Sequence, residues 1–291
     1  MLYLFQQLLN ILQIGSIYAM IALGYTMVYG VLLLINFAHG DLFMIGAFIT
    51  FLSATYLNFG FIPSLILSMT ATALLGVTIE RTAYKPLRNA PKVSVIITAL
   101  GVGVFLENLT LAISPYPKHV PQLIENTIYN IKGLTLSLVQ IIIITFSVVL
   151  MIGLDFLVRK TKLGMAIRAI SWDMQAVPLM GIPLNKIISI TFAIGAGLGG
   201  AAGVFYAAAY PVIDPYMGIM VGWKAFIAAV VGGIGNIRGA MLGGYALGAI
   251  EVAVMVFLPT TYRDLISFLL LFILLIFRPY GIFGKPRNVK I

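Results

Sequence analysis

Cysteine is absent from all 291 residues, which excludes disulfides, thiolate metal sites and cysteine nucleophiles. Histidine is nearly absent: His39 and His119 stand 80 positions apart, a poor basis for a zinc site, and no metal or cofactor is expected. Charge is the next shortage. Only 9% of residues are charged and 61% are hydrophobic, a balance unsuited to a surface that meets water on every side. Between Met1 and Ile79 the one charged side chain is Asp41, over a stretch far longer than the ~20 apolar residues of one membrane-spanning helix. The patterns HExxH, GxSxG and GxxxxGK[ST] are missing, as is a paired acidic cluster for Mg²⁺, so enzyme chemistry is not expected. If ATP drives this protein, another chain hydrolyses it. The start "MLYLFQQLLN" has no basic n-region and reads as part of the mature protein.

What remains is a series of apolar runs separated by polar breaks. They predict spans near 8–35, 37–57, 60–79, 93–113, 134–157, 187–209, 223–237, 239–257 and 264–279. Runs of this length, rich in Leu, Ile, Ala and Gly, favour helices over short alternating strands, because each segment must satisfy its own backbone in lipid. The expected fold is an all-α polytopic bundle of eight to nine spans. The 223–237 run is short, which suits either a tilted crossing or a half-helix that enters and returns.

Basic residues retained on the cytoplasmic side set the orientation. Arg81, Lys85, Arg88 and Lys92 follow the third span, and Arg159, Lys160, Lys162, Arg168 and Lys186 follow the fifth. With Arg238 and the tail residues Arg278, Lys285, Arg287 and Lys290, 14 of 18 bases fall in inside loops, against Lys118, Lys132, Lys224 and Arg263 outside. The N-terminus is therefore expected outside and the C-terminus in the cytoplasm. The net charge of +9 is divided among these loops without a nucleic-acid motif, so nucleic acid is not an expected partner.

Two glycine series recur every four residues, Gly195, Gly199, Gly203 and Gly235, Gly239, Gly243, and each predicts a helix face for close packing. Residues 14–40 and 194–218 share helix, polar break and glycine in the same order, a faint internal repeat that the orientation makes inverted.

The polar break "INFAHGD" carries the first candidate chemistry. Asn36 and Gly40 suit a turn or broken helix at the inner end of the first span. His39 and Asp41 suit a proton relay or an ammonium site, although a position near the interface favours Asp41 as a helix N-cap. Glu107 lies near the outer end of its span. Glu251 lies deep in the eighth run, where it either lines a pathway or bonds a neighbouring helix. Residues 159–186 mix apolar Met165, Ile167, Ile170, Met174 and Val177 with Arg168, Asp173 and Lys186, which predicts a short amphipathic helix ended by the Pro178–Pro183 break. Such a helix either lies in the headgroup layer or docks into a groove of a partner.

At this point a resemblance is visible. "IALGYTMVYGVLLLINFAHGDLFMIGAF", "IERTAYKPLR", "LGMAIRAISWDMQAVPLMGIPLNK" and "GWKAFIAAVVGGIGNIRGAMLGGYALGAIE" together resemble the inner-membrane permeases of bacterial branched-chain amino-acid ABC importers, over essentially the whole chain. The resemblance implies one transmembrane permease domain over 1–291 that works with a second permease, two cytoplasmic ATPases and a periplasmic substrate-binding protein, in the inner membrane of a bacterium or archaeon. It implies that 159–186 is the coupling loop, with Gly164, Arg168, Ala169, Asp173, Ala176, Gly181 and Ile182 as its working residues. The implied solutes are leucine, isoleucine and valine. Urea, amides or other amino acids within the same family, or an ion-coupled secondary transporter, are the alternatives.

Overall fold

The structure is a computed structural model and describes residues 2–88, 90–125, 127–131, 133–278 and 280–284. Lys132, Lys285, Arg287 and Lys290, counted above for orientation, lie outside the described residues. The described residues form ten α-helices: α1 Leu2–Leu32, α2 His39–Tyr56, α3 Phe61–Ile79, α4 Lys92–Ile113, α5 Leu138–Lys160, α6 Lys162–Trp172, α7 Leu184–Ala209, α8 Met217–Gly232, α9 Ile237–Phe257 and α10 Tyr262–Phe277. Six helices are long and apolar enough to cross a membrane, namely α1, α3 with its π-helical extension to Tyr84, α4, α5, α7 and α9. Four short strands, β1 Lys118–His119, β2 Ile128–Ile131, β3 Leu134–Ser137 and β4 Val212–Ile213, pair antiparallel as β1 with β4 and β2 with β3.

Helix α1 is buried at every residue from Gly15 to Val28, and α7 at every residue from Gly195 to Phe205. An apolar helix with no exposed face belongs at the centre of a bundle, and these two cross there. Around them, α3, α4, α5 and α10 turn large apolar side chains outward, among them Leu74, Phe105, Phe156 and Phe272. Small residues allow the central helices to touch. A Cβ on Gly24 would lie 2.9 Å from the Gly195 carbonyl, and one on Gly203 would lie 2.4 Å from the Phe43 carbonyl. Buried hydroxyls add stitches: Ser68 of α3 reaches the carbonyls of Gly46 on α2 and Gly200 on α7 at 3.0 and 3.2 Å.

Several expectations need correction. The run beginning at 134 opens with strand β3, and α5 starts at Leu138 behind a capping box in which Ser137 accepts from the Val139 N–H and Gln140 accepts from the Ser137 N–H. The short run expected at 223–237 is α8 at Met217–Gly232. Gly235 is on no helix face: Gly233 and Gly235 take φ of +99° and +91° and form the turn into α9, a conformation glycine adopts without strain. Close packing of α8 on α9 comes instead from Gly232, Gly239 and Gly243, with Gly243 set against the Ala228 carbonyl. Lys224, expected in an outer loop, is a buried residue of α8.

The connection between α1 and α2 also departs from expectation. Leu33, at φ +55°, ends α1, and the next residues double back into the bundle. Helix α2 then begins beside Gly24, whose missing Cβ leaves room for the His39 ring. Gly24 is two turns short of the end of α1, so at 1.5 Å per residue the start of α2 lies about 12 Å inside that end. Asn36, His39 and Asp41 of the polar break are therefore buried within the bundle.

Candidate functional site

Each residue of the polar break has a defined neighbour. The Asn36 side-chain carbonyl accepts from the Tyr84 hydroxyl at 2.7 Å. His39 is fully buried and meets Tyr25 edge-on, with ring centroids 4.8 Å apart, in space left by Gly24 and Gly199. Gly40 packs directly on Gly218 and Gly222, so the first turns of α2 and α8 meet in the interior.

Asp41 is in the first turn of α2, yet no side chain caps that helix, and its N-cap is Ala38. Asp41 is thus a first-turn acid and not the N-cap residue. Its carboxyl lies between Gly103 of α4 and Gly218 of α8, and Glu107 lines the same cavity. This cavity, of about 240 Å³, also touches Tyr25, Phe37 and Trp223.

Glu251 is not part of that group. It accepts from the Tyr18 hydroxyl at 2.9 Å and pairs with Lys224 at 2.8 Å. Lys224 also pairs with Asp264 at 2.6 Å, and Arg263 approaches Asp264 at 3.5 Å. These four charged residues from α8, α9 and α10 border a second cavity of about 550 Å³, closed on another side by Tyr206 and Tyr210 at the end of α7. Burial raises the Tyr210 phenol, just beyond α7, above its ordinary range, so it is a protonated donor at neutral pH. Sequence reasoning missed this network except for Glu251. The available signal was a lysine inside the apolar run "MVGWKAFIAAVV".

The third feature is the segment between α5 and α7. Thr161 caps α6 by accepting from the Gly164 N–H at 3.1 Å, and Gly164 packs so closely on the Val158 carbonyl that no Cβ fits. The Arg168 guanidinium donates to the same carbonyl. The proline break does not end this helix. It ends at Trp172, where Asp173 turns extended, its N–H bonded to the Ala169 carbonyl. One Asp173 carboxylate oxygen then accepts from the Gln175 and Ala176 N–H groups at 2.9 and 3.0 Å. A 3₁₀ turn, Val177–Met180, follows and closes on Gly181 at φ +75°. Ile167, Ile170 and Val177 face inward with half-buried Ile182, whereas Trp172 and Leu179 are each 89% exposed and Met180 is 74% exposed.

Fold and site together define an all-α membrane-protein bundle with six candidate spanning helices, buried polar groups and an exposed apolar platform between α5 and α7. Residues 7–275 match the family model described as "Branched-chain amino acid transport system / permease component". The chain belongs to this family, the permease subunits of branched-chain amino-acid ABC importers, and is not itself a catalyst. It is 42% identical to the high-affinity branched-chain amino acid transport system permease protein BraD of Pseudomonas aeruginosa, over 98% of this chain and 97% of that one. It is 37% identical to LivH, the corresponding permease protein of Escherichia coli strain K12, over 100% of this chain and 98% of that one. The probable branched-chain amino acid transport permease protein LivH of Methanocaldococcus jannaschii is 29% identical over 93% of this chain and 89% of its own. No solved structure matches. Family membership implies a multi-subunit importer.

Proposed function

We propose that this chain carries leucine, isoleucine and valine across the inner membrane as one of two permeases, with two cytoplasmic ATPases and a periplasmic binding protein. The observation that carries this reading is the family match over nearly the whole chain. The 159–186 segment is the coupling element of the single permease domain. Trp172, Leu179 and Met180 are its apolar contacts for an ATPase groove, held in place by Gly164, Arg168, Asp173 and Gly181. A helix lying in the headgroup layer would not need the rigid Asp173–Gly181 turn.

The N-terminus lies outside and the C-terminus inside, with α2, α8 and α10 completing eight to nine crossings. Segments 115–133 and 211–222 are the candidates to meet the binding protein; the β1–β4 pairing, at the far end of α7 from the coupling element, supports this for the part before α8, whereas Gly218 and Gly222 pack inside the bundle on Gly40. An inverted repeat relating α1–α2 to α7–α8 is supported by the reciprocal contact of Gly40 and Gly218. Asn36, His39, Gly40, Asp41 and Glu107 form the hinge and lining where α2 and α8 begin. Glu251 lines the larger cavity.

Uptake of radiolabelled leucine into proteoliposomes tests the reading. The assembled importer should accumulate leucine only with ATP inside and binding protein outside. Accumulation by this chain alone under a proton gradient would favour a secondary transporter built on the Asp41–Glu107 pair. Uptake of urea or an amide with its own binding protein, but not leucine, would shift the solute and keep the importer.

A further inference from the structure

The larger cavity combines features that a purely structural ion pair does not need. At about 550 Å³ it falls in the size range of small-molecule sites. Ile14, Ile17, Met217, Met220 and Val221 form an apolar side. The lining also carries both signs of charge from Lys224, Arg263, Glu251, Asp264 and Asp214. Burying ions in a membrane protein costs desolvation, and an apolar contact of equal volume would often serve stability as well. An ion pair needs no cavity, and a cavity needs no ions.

The pairing is also unevenly completed. Lys224 is buried and held by Glu251 and Asp264 at 2.8 and 2.6 Å, which makes it the floor of the site. Arg263 is 39% exposed along its side chain, and its contact with Asp264 is the longest of the network at 3.5 Å. A guanidinium has five N–H donors, so most remain for a second carboxylate. Asp214 accepts from the Tyr216 N–H at 2.9 Å through one oxygen, leaving acceptor capacity beside the cavity.

We propose that this cavity is a subsite for a zwitterionic amino acid with an apolar side chain. Arg263 and the Tyr210 hydroxyl take the carboxylate, Asp214 and Asp264 take the ammonium, and Met217, Met220 and Val221 take the side chain. The proposal rests on the importer reading and deepens it: the permease itself recognises the zwitterion, weakly, between release from the binding protein and passage. The position suits this role, because the cavity sits between the end of α7 and the first turns of α8 and α10, in the half of the bundle away from the coupling element.

The test is equilibrium binding of radiolabelled leucine to the assembled importer in nanodiscs, without binding protein, alongside ATP-driven uptake by the complete system. Saturable binding should be displaced by valine and isoleucine. It should not be displaced by leucinol, which lacks the carboxylate, or by 4-methylpentanoate, which lacks the ammonium. Arg263→Ala should weaken binding about tenfold, the loss of one charge-assisted contact, and Arg263→Lys should recover most of it. Absence of saturable binding, equal displacement by leucinol, or unchanged binding in Arg263→Ala overturns the subsite. The analogue series uses the wild-type chain and so decides the matter even if a variant fails to assemble. Leucine uptake without leucine binding overturns the subsite and leaves the importer reading intact, whereas binding without ATP-driven uptake counts against the importer reading alone.

Discussion

Gly40 and Gly218 meet backbone to backbone: a Cβ on Gly40 would lie 2.4 Å from the Gly218 carbonyl oxygen, and a Cβ on Gly218 would lie 2.7 Å from the Gly40 carbonyl oxygen. Two helices begin at this contact, so neither first turn tolerates a side chain. Gly40→Ala and Gly218→Ala should each destabilise the protein by about 1–3 kcal/mol, the usual cost of overpacking. Gly30, with nothing within 4 Å of its Cβ position, is the control, and Gly30→Ala should be neutral or slightly stabilising. Unfolding in detergent followed by circular dichroism checks all three. Equal stability of Gly40→Ala and Gly30→Ala would refute the contact.

The His39 ring occupies the space where Gly24 lacks a side chain, 2.0 Å from the Cβ position to Nε2. Gly24→Ala should therefore cost ~1–3 kcal/mol in the native background and clearly less in a His39→Ala background. A double-mutant cycle on unfolding free energy measures this coupling. Strict additivity would mean the two residues do not touch.

Arg88 and the fully buried Glu80 form an ion pair that also reaches Ser189 and Asn185 at the start of α7. Removing one partner strands the other charge. Arg88→Ala should cost about 3–5 kcal/mol, whereas replacing the pair together by Arg88→Met and Glu80→Gln should cost less. The comparison of the single and double variants in one unfolding series is decisive, and a double variant worse than the single would contradict it.

Asp173 holds the turn after α6 with two hydrogen bonds, and Gly181 closes it at φ +75°. Asp173→Ala and Gly181→Val should lower the number of leucine molecules moved per ATP hydrolysed in proteoliposomes, with the melting temperature of the bundle within a few degrees of wild type. Wild-type stoichiometry in both variants would remove the coupling role of the segment.

Trp172 is 89% exposed on the same platform. If the platform docks an ATPase, Trp172→Ala should weaken that association by about 2 kcal/mol, as expected for a buried aromatic anchor at an interface. Titration of labelled ATPase onto the permeases in nanodiscs gives the number. Unchanged affinity would place the contact elsewhere.

Helix positions were readable because long apolar runs have few folded solutions in lipid: α3, α4, α7 and α9 begin and end within a few residues of their expected limits. The boundary of α8 was not: the helix starts six residues earlier than expected, at Met217 just after Asp214 and Pro215, and ends at Gly232. Gly235 shows the same limit, since spacing by four is shared by a helix face and by a turn that adjoins a helix.

Composition and local sequence alone determined that this chain has the apolar runs of a membrane protein and that its polar groups at INFAHGD and Glu251 are exceptional. Those are properties of residue type, and local sequence carries them. Only the tertiary structure decided that Asp41 and Glu107 line one cavity, that α2 begins inside the bundle, and that Tyr18, Lys224, Glu251 and Asp264 form one network. These depend on which helices cross and at what depth, and that is set by glycine contacts between segments as distant as Gly24 and Gly195, which no local pattern records.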